Sequence, residues 1–547
     1  MKIDATIFRG YDIRGYTHDV PEKDIKKNLT EDVALNIGMA LGSRLEEGST
    51  VVISGDHRIM TTKLRQALVD GYTAVGINVK VDEGQVPSGA NNWYLIRHGL
   101  DGAVQVTGSH NPWYFDGMKI SEGMEALYGE QLKELIPKIE EGKYRLSKKK
   151  GNIEKINIVD SYIQMLNKAF PEPFKCKHRI IFDAGNGLGG LLVPLLQERG
   201  ADVIALLTKP DGSFPYHDAD PSDKEAAELV SEALEATNRG INSPEDKWYG
   251  LLTDGDADRS GFVAENAEVV WPEKMAAIFY KEYLLNSKND EEVMALDVRA
   301  SNAAMKIVSE NGGRGFFIPA GYPSHRLFAR LIIPEIGKTK PTHTTAEASG
   351  HFFYPTASMG ENSNFVPHAA DILIDDGLYS ALKFIYILDE FKTDDSCAGV
   401  TLQELMDTIP SNPTGPEIRV SCDDKEKFQI VDKIKAQISK DYKDDLKALC
   451  DPLEVGDGKS KIKIQKPDCG LIEVDGVRAQ FKDHSWFLIR ASNTVPKLTL
   501  KFEAPSYELL YQRMQEVNNI FKEYSTVEPE PLEKAIESFW EEIKKEN

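Results

Sequence analysis

The sequence has no run of about 18 apolar residues, the length a helix needs to cross a bilayer, so no helical membrane span is expected. It is also short of positive charge. Lys and Arg number 65 against 87 Asp and Glu, a formal charge of −22, which argues against nucleic acid and anionic membrane surfaces as general partners. Cysteine is scarce. Cys176, Cys397, Cys422, Cys450 and Cys469 are scattered, odd in number and without a Cys-x-x-Cys pair, which reads as reduced, buried or incidental thiols in a cytoplasmic protein. Met1 to Gly10 lacks a basic region followed by an apolar stretch, so no signal peptide is expected.

What is present is ample material for packed cores. The 547 residues are 41% hydrophobic, beyond the size at which one core stops growing, so several domains are expected. Short apolar runs such as Val51–Ser54, Ile180–Asp183, Gly250–Asp254 and Val293–Asp297 alternate with longer helical patterns, the signature of α/β units with mainly parallel sheets. Polar stretches at Lys143–Asn152, Asn286–Glu292 and Lys392–Asp395 divide the chain into four expected domains, 1–152, 153–267, 268–392 and 393–547. The last differs in pattern. Glu417–Cys422, Lys461–Gln465 and Trp486–Arg490 alternate as strands between helices, an α+β arrangement, and the charged tail from Pro529 has helical spacing.

Four motifs carry chemistry. Thr107-Gly108-Ser109-His110-Asn111-Pro112 follows the expected strand Gly102–Val106 and offers a hydroxyl on a turn, with a His beside it and Lys119 nearby to handle protons or phosphate charge. A turn that uses Gly, Asn and Pro only for geometry would look the same. Asp254-Gly255-Asp256-Ala257-Asp258-Arg259 alternates carboxylates, which sets three hard oxygen ligands on one side of an extended loop and suits Mg²⁺ or Ca²⁺. An EF-hand reading fails at its sixth position, Arg259 where glycine is required, and a solvated acid cluster is the bland alternative. Glu347-Ala348-Ser349-Gly350-His351 can present a carboxylate and a hydroxyl to a sugar, or simply cap a helix. Arg490-Ala491-Ser492-Asn493-Thr494 follows an apolar strand and can cradle a phosphate, or form a polar hairpin turn. Gly185-Asn186-Gly187-Leu188-Gly189-Gly190 matches a dinucleotide-binding pattern, but no acid ends the next strand, Val203–Leu207. These glycines read as a tight turn with close helix–strand packing.

The four motifs, in this order and one to each expected domain, resemble the α-D-phosphohexomutase superfamily, from about Phe8 to Glu503. The resemblance implies three related α/β domains with mixed sheets plus a C-terminal α+β domain resembling the TATA-binding-protein fold, around a central cleft. It implies Ser109 as the phosphoryl carrier supported by His110 and Lys119, and Asp254, Asp256 and Asp258 as ligands of Mg²⁺, with a phosphoserine oxygen at Ser109 completing the site. It implies Arg259 beside the phosphoserine, Glu347 and Ser349 as readers of sugar hydroxyls, and Arg490, Ser492, Asn493 and Thr494 as the clamp on the phosphate that is not reacting. Arg14, in Phe8-Arg9-Gly10-Tyr11-Asp12-Ile13-Arg14-Gly15, resembles half of a general acid/base pair with His351, and Arg9 and Tyr11 resemble substrate-proximal residues.

That opening, the Thr-Gly-Ser-His-Asn-Pro loop and Asn493 favour the phosphomannomutase/phosphoglucomutase branch over the phosphoglucosamine mutases. Departures fall at Ala346, where Gly is usual, at Val495, where an acidic residue or Thr is usual, and at Arg299 and Tyr322, which stand at substrate-contact positions where the branch often has Lys and His. The implied reaction moves a phosphoryl group between the 1- and 6-positions of mannose or glucose phosphate through a phosphoserine, with a hexose 1,6-bisphosphate as intermediate and activator. The implied partner is a small-molecule hexose phosphate, bound by a monomer or homodimer. A phosphoglucosamine mutase, a non-catalytic sugar-phosphate binder and a metal-dependent phosphatase are the rivals.

Overall fold

A computed structural model describes residues 1–221, 224–286, 292–332, 344–359, 372–393, 400–415, 417–492 and 496–546. Among these residues no helix is long and apolar enough to cross a membrane. The chain forms two compact units, Met1–Phe279 with Lys338–Thr408, and Tyr280–Gly337 with Ile409–Asn547.

The first unit opens on a mixed sheet. Its order is Ile13–Tyr16, Phe115–Glu122, Gly102–Val106, Thr50–Gly55, Asn78–Val81 and Ile153–Lys155, with Glu125–Ala126 on Phe115–Glu122. Thr50–Gly55 is apolar and buried along nearly its whole length, because helices cover both faces of a parallel strand. Helix Glu31–Gly42 starts where Thr30 accepts a hydrogen bond from Val33 N, with Glu31 and Asp32 in its positive first turn. Ile153–Lys155 joins this sheet parallel to Asn78–Val81, so the sheet reaches past the division expected after 152. Gly102–Val106 and Phe115–Glu122 are antiparallel, which makes the serine motif the connection of a hairpin.

A second sheet in this unit runs Val269–Val270, Ser260–Val263, Tyr249–Thr253, Arg179–Asp183 and Asp202–Leu206. Tyr249–Thr253 is antiparallel to Ser260–Val263, so the aspartate motif is also a hairpin tip. Asp254 lies beyond the strand expected to include it, and the strand Asp202–Leu206 stops before Leu207, whose φ is 46°. The glycine-rich turn after Arg179–Asp183 supports the aspartate loop. A Cβ on Gly187 would stand 2.8 Å from the backbone of Gly255, and Leu188 N donates to Gly255 O. Thr345–Ala346, Phe352–Pro355 and Leu373–Asp375 form an antiparallel ladder, with Glu347 to His351 as its first turn. Helix Gly377–Thr393 follows and runs through Lys392, where a boundary was expected. Phe384 of this helix packs on Phe262, ring centroids 4.5 Å apart.

In the second unit Val293–Asp297 pairs in parallel with Arg314–Ile318, joined through helix Asn302–Glu310. An antiparallel sheet runs Leu471–Ile472, Val477–Gln480, Trp486–Ala491, Lys497–Glu503, Ile418–Cys422 and Val527–Glu528. Helices Lys427–Asp441 and Tyr507–Phe521 bury Ile430, Ile434, Leu510 and Met514 in its core, an α+β architecture that ends in the helix Glu530–Glu546. The strand reading of Lys461–Gln465 is realised as a separate hairpin, Leu453–Gly456 with Lys461–Ile464.

Cys450 and Cys469, whose Cα atoms lie 5.6 Å apart, are joined as a disulfide, which corrects the reading of all five cysteines as reduced thiols. The chain reversal through the hairpin brings the two together, and nothing in their spacing announces it. Cys176 and Cys422 are free, and Cys397 lies outside the described residues.

Arg478 is the most demanding core residue of the second unit. It is fully buried, donates to Val298 O, Ala300 O and Asn302 Oδ1, and lies 3.5 Å over the Trp486 ring. Removing it strands three acceptors that a charged donor satisfies. Arg478→Ala is expected to destabilise this unit by roughly 3 kcal/mol or more in chemical denaturation. An unfolding midpoint equal to that of the parent would show that the buried guanidinium contributes nothing net.

Candidate active site

Ser109 sits in the turn after the buried strand Gly102–Val106, in the left-handed region, φ 51°, a conformation that a serine adopts only under constraint. The constraint is visible. Ser109 N donates to Thr107 Oγ1, and Arg58 donates to Ser109 O at 2.6 Å, to Asn111 O, and to Pro112 O and Phe115 O at 2.9 and 3.0 Å. One buried guanidinium thus holds four carbonyls of the loop, with Asp56 3.4 Å behind it and the Phe214 ring 4.8 Å from it. Gly108 leaves the room this needs, since a Cβ there would meet the guanidinium at about 2.5 Å. Sequence reasoning missed Arg58. It belongs to none of the motifs, and the Asp-His-Arg run after the strand Thr50–Gly55 does not show which groups it binds.

The Ser109 hydroxyl lies 3.2 Å from Asp254 Oδ2 and 3.3 Å from His110 Nδ1. The two hairpin tips can approach so closely because position 255 is glycine. A Cβ there would stand 2.7 Å from Ser109 O. Asp254, Asp256 and Asp258 are fully buried, each with a carboxylate oxygen within 4.8 Å of the others. Such a cluster requires positive charge. Lys119, from the strand Phe115–Glu122, donates to Asp256 Oδ2 at 2.8 Å and to Asp258 Oδ2. Backbone N–H groups of Asp258 and Arg259 donate to Asp254 Oδ1, and Ser88 donates to Asp256 Oδ2 at 2.5 Å. Ser88, at the start of helix Ser88–His98, is a second residue with no signal in the sequence motifs.

Burial, reinforced by Asp258 and Asp256, pushes the Asp254 carboxyl well above the usual range. Burial and the Asp258 charge oppose ionisation of Asp256, yet Lys119 and Ser88 hold it at about 2. Asp256 Oδ1 is buried with no hydrogen-bond partner among the described residues. Three hard oxygen ligands converging within 4.8 Å, one carboxylate oxygen orphaned and one carboxyl kept from ionising by burial and its neighbours, are a donor set suited to a hard divalent cation, and these three residues can hold one.

Around this cluster stand the remaining residues of the first unit. Arg259 Nη2 lies 2.8 Å from His110 Nδ1, and its Nη1 donates to Asp220 Oδ1 at 3.4 Å. Burial and the Arg259 charge drive His110 down to about 3, so it is a neutral acceptor. His351 Nε2 lies 3.3 Å from Asp258 Oδ1. Burial opposes its charge, but Asp258 and Glu347 together raise it to about 10. Ser349 Oγ donates to Glu347 Oε2 at 2.8 Å and lies 3.1 Å from His351 Nδ1, so the third motif is one hydrogen-bonded set. Arg14 donates to Asp12 Oδ2 and to Thr107 O, which ties it to the serine loop, and Arg9 and Tyr11 form the turn before its strand.

Of the expected residues in the second unit, the two arginines are held by acids. Arg299 donates to both oxygens of Asp297, at 2.9 and 3.1 Å, and Arg490 Nη2 lies 2.9 Å from Asp475 Oδ2. Tyr322 is buried at the start of helix Tyr322–Leu327, and Ser492 N donates to Lys497 O. Asn493, Thr494 and Val495 lie outside the described residues.

Comparison with known proteins agrees across the chain. Family models match at residues 5–145 (phosphoglucomutase/phosphomannomutase, alpha/beta/alpha domain I), 160–267 (domain II) and 417–520 (the C-terminal domain). A phosphomannomutase/phosphoglucomutase of Pseudomonas syringae pv. tomato is 30% identical over 94% of each chain. A phosphoglucomutase of Neisseria meningitidis is 27% identical, covering 94% of this chain and 96% of its own. The crystal structure of a phosphoglucomutase/phosphomannomutase family protein of Burkholderia thailandensis superposes with a TM-score of 0.74 at 26% identity, covering 95% of this chain and 98% of its own.

Arg58→Lys keeps the charge but cannot reach four carbonyls. Amide exchange across residues 108–115 is expected to quicken at least about tenfold, the equivalent of one lost charged hydrogen bond of about 1.4 kcal/mol. Unchanged protection of that segment in hydrogen-exchange mass spectrometry would mean that the loop holds its own shape.

Proposed function

The chain belongs to the phosphoglucomutase/phosphomannomutase family, and we propose that it interconverts the 1- and 6-phosphates of glucose and mannose, with Ser109 as the phosphoryl carrier. The observation that carries the reading is the Ser109 hydroxyl 3.2 Å from Asp254 Oδ2, beside three buried carboxylates and their cations, in a chain whose matched relatives are hexose-phosphate mutases. The four-domain division, 1–152, 153–267, 268–392 and 393–547, is part of the proposal, with one motif to each domain.

In the proposed cycle, phospho-Ser109 gives its phosphoryl group to a sugar hydroxyl. The bond to Ser109 Oγ breaks, a bond to the sugar oxygen forms, and the proton of the sugar hydroxyl is relayed to the departing Ser109 oxygen, which becomes a hydroxyl. The hexose 1,6-bisphosphate turns over, and its other phosphate returns to Ser109. Mg²⁺ at Asp254, Asp256 and Asp258 would supply Lewis-acid neutralisation of phosphoryl charge. The chain's own residues do the rest. Lys119 and Arg259 neutralise the transferring group, whose transition state needs alignment and charge more than covalent help. His110 accepts from Arg259 and keeps that guanidinium beside the serine. Arg14 and His351 form the acid/base pair. Glu347 and Ser349 bind ring hydroxyls, with Arg9 and Tyr11 near the substrate. Arg490, Ser492, Asn493 and Thr494 clamp the idle phosphate. Arg299 and Tyr322 are further substrate contacts, and Arg299 offers less than a free lysine because Asp297 already takes its donors.

Intact mass of the purified chain is expected to show one added phosphate that maps to Ser109. Ser109→Ala should remove it and lower mutase turnover by several orders of magnitude while leaving the fold intact. Near-parental turnover in that variant would sink the proposal, and stoichiometric release of inorganic phosphate would identify a phosphatase instead. Asp256→Asn should weaken Mg²⁺ binding and turnover together, and chelation should abolish turnover until Mg²⁺ is restored.

Glucose and mannose phosphates differ only at C2, and among the described residues none is dedicated to that position, although Arg299 and Tyr322 are unusual enough to supply a contact there. Coupled assays at saturating Mg²⁺ should give kcat/KM values within about a hundredfold of each other, the range one modest contact generates. A much larger ratio would make this a dedicated enzyme, and a preference for glucosamine phosphate would place it among the phosphoglucosamine mutases.

A further inference from the structure

A second cluster of ligating side chains lies in the first unit and takes no part in this chemistry. Cys176 and His178 immediately precede the strand Arg179–Asp183, and Asp389 sits near the end of helix Gly377–Thr393. Cys176 Sγ is 3.5 Å from His178 Nε2 and 3.0 Å from Asp389 Oδ1, and His178 Nε2 is 3.2 Å from Asp389 Oδ1. A zinc ion with bonds of about 2.3 Å to sulfur and about 2.0–2.1 Å to nitrogen and oxygen has tetrahedral edges of roughly 3.5 Å from sulfur and 3.3 Å between the lighter atoms. Two of the three separations match those edges. The third is shorter, as it must be while the Cys176 thiol donates a hydrogen bond to the carboxylate.

We propose that Cys176, His178 and Asp389 bind a zinc-class divalent metal ion that staples helix Gly377–Thr393 to the strand Arg179–Asp183. The surroundings are those of a prepared site. His178 is fully buried, and its Nδ1 lies 2.9 Å from Tyr249 Oη, which fixes the ring with Nε2 toward the other two ligands. Asp389 is 1% exposed and is oriented by the backbone N–H groups of Lys175 and Cys176, both at 2.8 Å. Cys176 is partly exposed, so an ion can enter and solvent can supply a fourth ligand. Binding releases one thiol proton to solvent, and the thiolate and carboxylate together neutralise a doubly charged ion. Burial and Asp389 push the metal-free Cys176 thiol up to about 12, which Lys392 only partly offsets, so the thiolate forms with the arriving ion and the loss of its proton makes binding favour higher pH. Sulfur and imidazole select the zinc class over Mg²⁺, so this site and the aspartate cluster do not compete for the same ion.

Cobalt reports on this directly, because only a thiolate ligand gives a sulfur-to-cobalt charge-transfer band. Full-length protein stripped by chelator should develop that band with one equivalent of Co²⁺ and lose it to one equivalent of Zn²⁺. The band should persist in Asp256→Asn and in Cys422→Ala and be absent from Cys176→Ser. Tyr249→Phe, which removes the support of His178, should weaken Zn²⁺ binding about 10–100-fold. Asp389→Asn, nearly isosteric, serves as the second ligand variant should Cys176→Ser fail to fold. The proposal is overturned by the absence of a band, by a band that survives loss of Cys176, or by Zn²⁺ binding weaker than about millimolar, the level of an adventitious ion only.

Discussion

Three carboxylates buried together repel one another, and the first unit is organised around that repulsion. At 4 Å and an effective dielectric of 20, two like charges cost about 4 kcal/mol, and here three share one pocket. The cluster persists because several elements deliver compensation to the same place. Lys119 comes from the first sheet, the N–H groups of Asp258 and Arg259 from the aspartate hairpin, Ser88 from a helix start, and His351 from the turn after Thr345–Ala346. These elements are fixed relative to one another by glycine contacts that admit no side chain. Gly377 shows this well, for a Cβ there would meet the backbone of Arg259 at about 2.5 Å. The electrostatic demand and the steric fit therefore pick out the same geometry.

The residues with a chemical signature were legible in the sequence. Ser109, Lys119 and the three aspartates stand out because of their residue types and spacings, and the structure brings them together; the buried strands stand out as continuous apolar runs. Val293–Asp297 and Gly102–Val106 occur where the pattern places them. The supporting residues were not legible. Arg58 acts on backbone carbonyls contributed by residues 51 to 57 positions away, and the local sequence around Arg58 carries no trace of such a partner. Cys450 and Cys469 meet only because a hairpin turns the chain between them. Ile153–Lys155 is exposed and carries no pattern of its own, yet it joins the sheet by parallel backbone pairing and a Lys80–Glu154 ion pair. Backbone pairing and long-range polar contacts leave no periodicity to detect.

The second unit handles its charges differently. Arg299 is held by Asp297 and Arg490 by Asp475. An arginine held by a carboxylate keeps a defined rotamer, so an arriving phosphate finds a donor that has already lost most of its conformational freedom. The same carboxylate competes with that phosphate. On the proposed assignment, the clamp is therefore well oriented and only moderately strong, a combination suited to an intermediate that has to let go and turn around.

The left-handed backbone of Ser109 has a consequence for the history of this position. Holding a serine at φ 51° costs on the order of 1–3 kcal/mol, and glycine or asparagine would occupy the same turn with less strain. Stability alone would let the position drift to either residue over generations. A lineage that retains serine here is under selection for its hydroxyl. Descendants that took up another task would betray the change first at this codon, while the surrounding hairpin stayed the same.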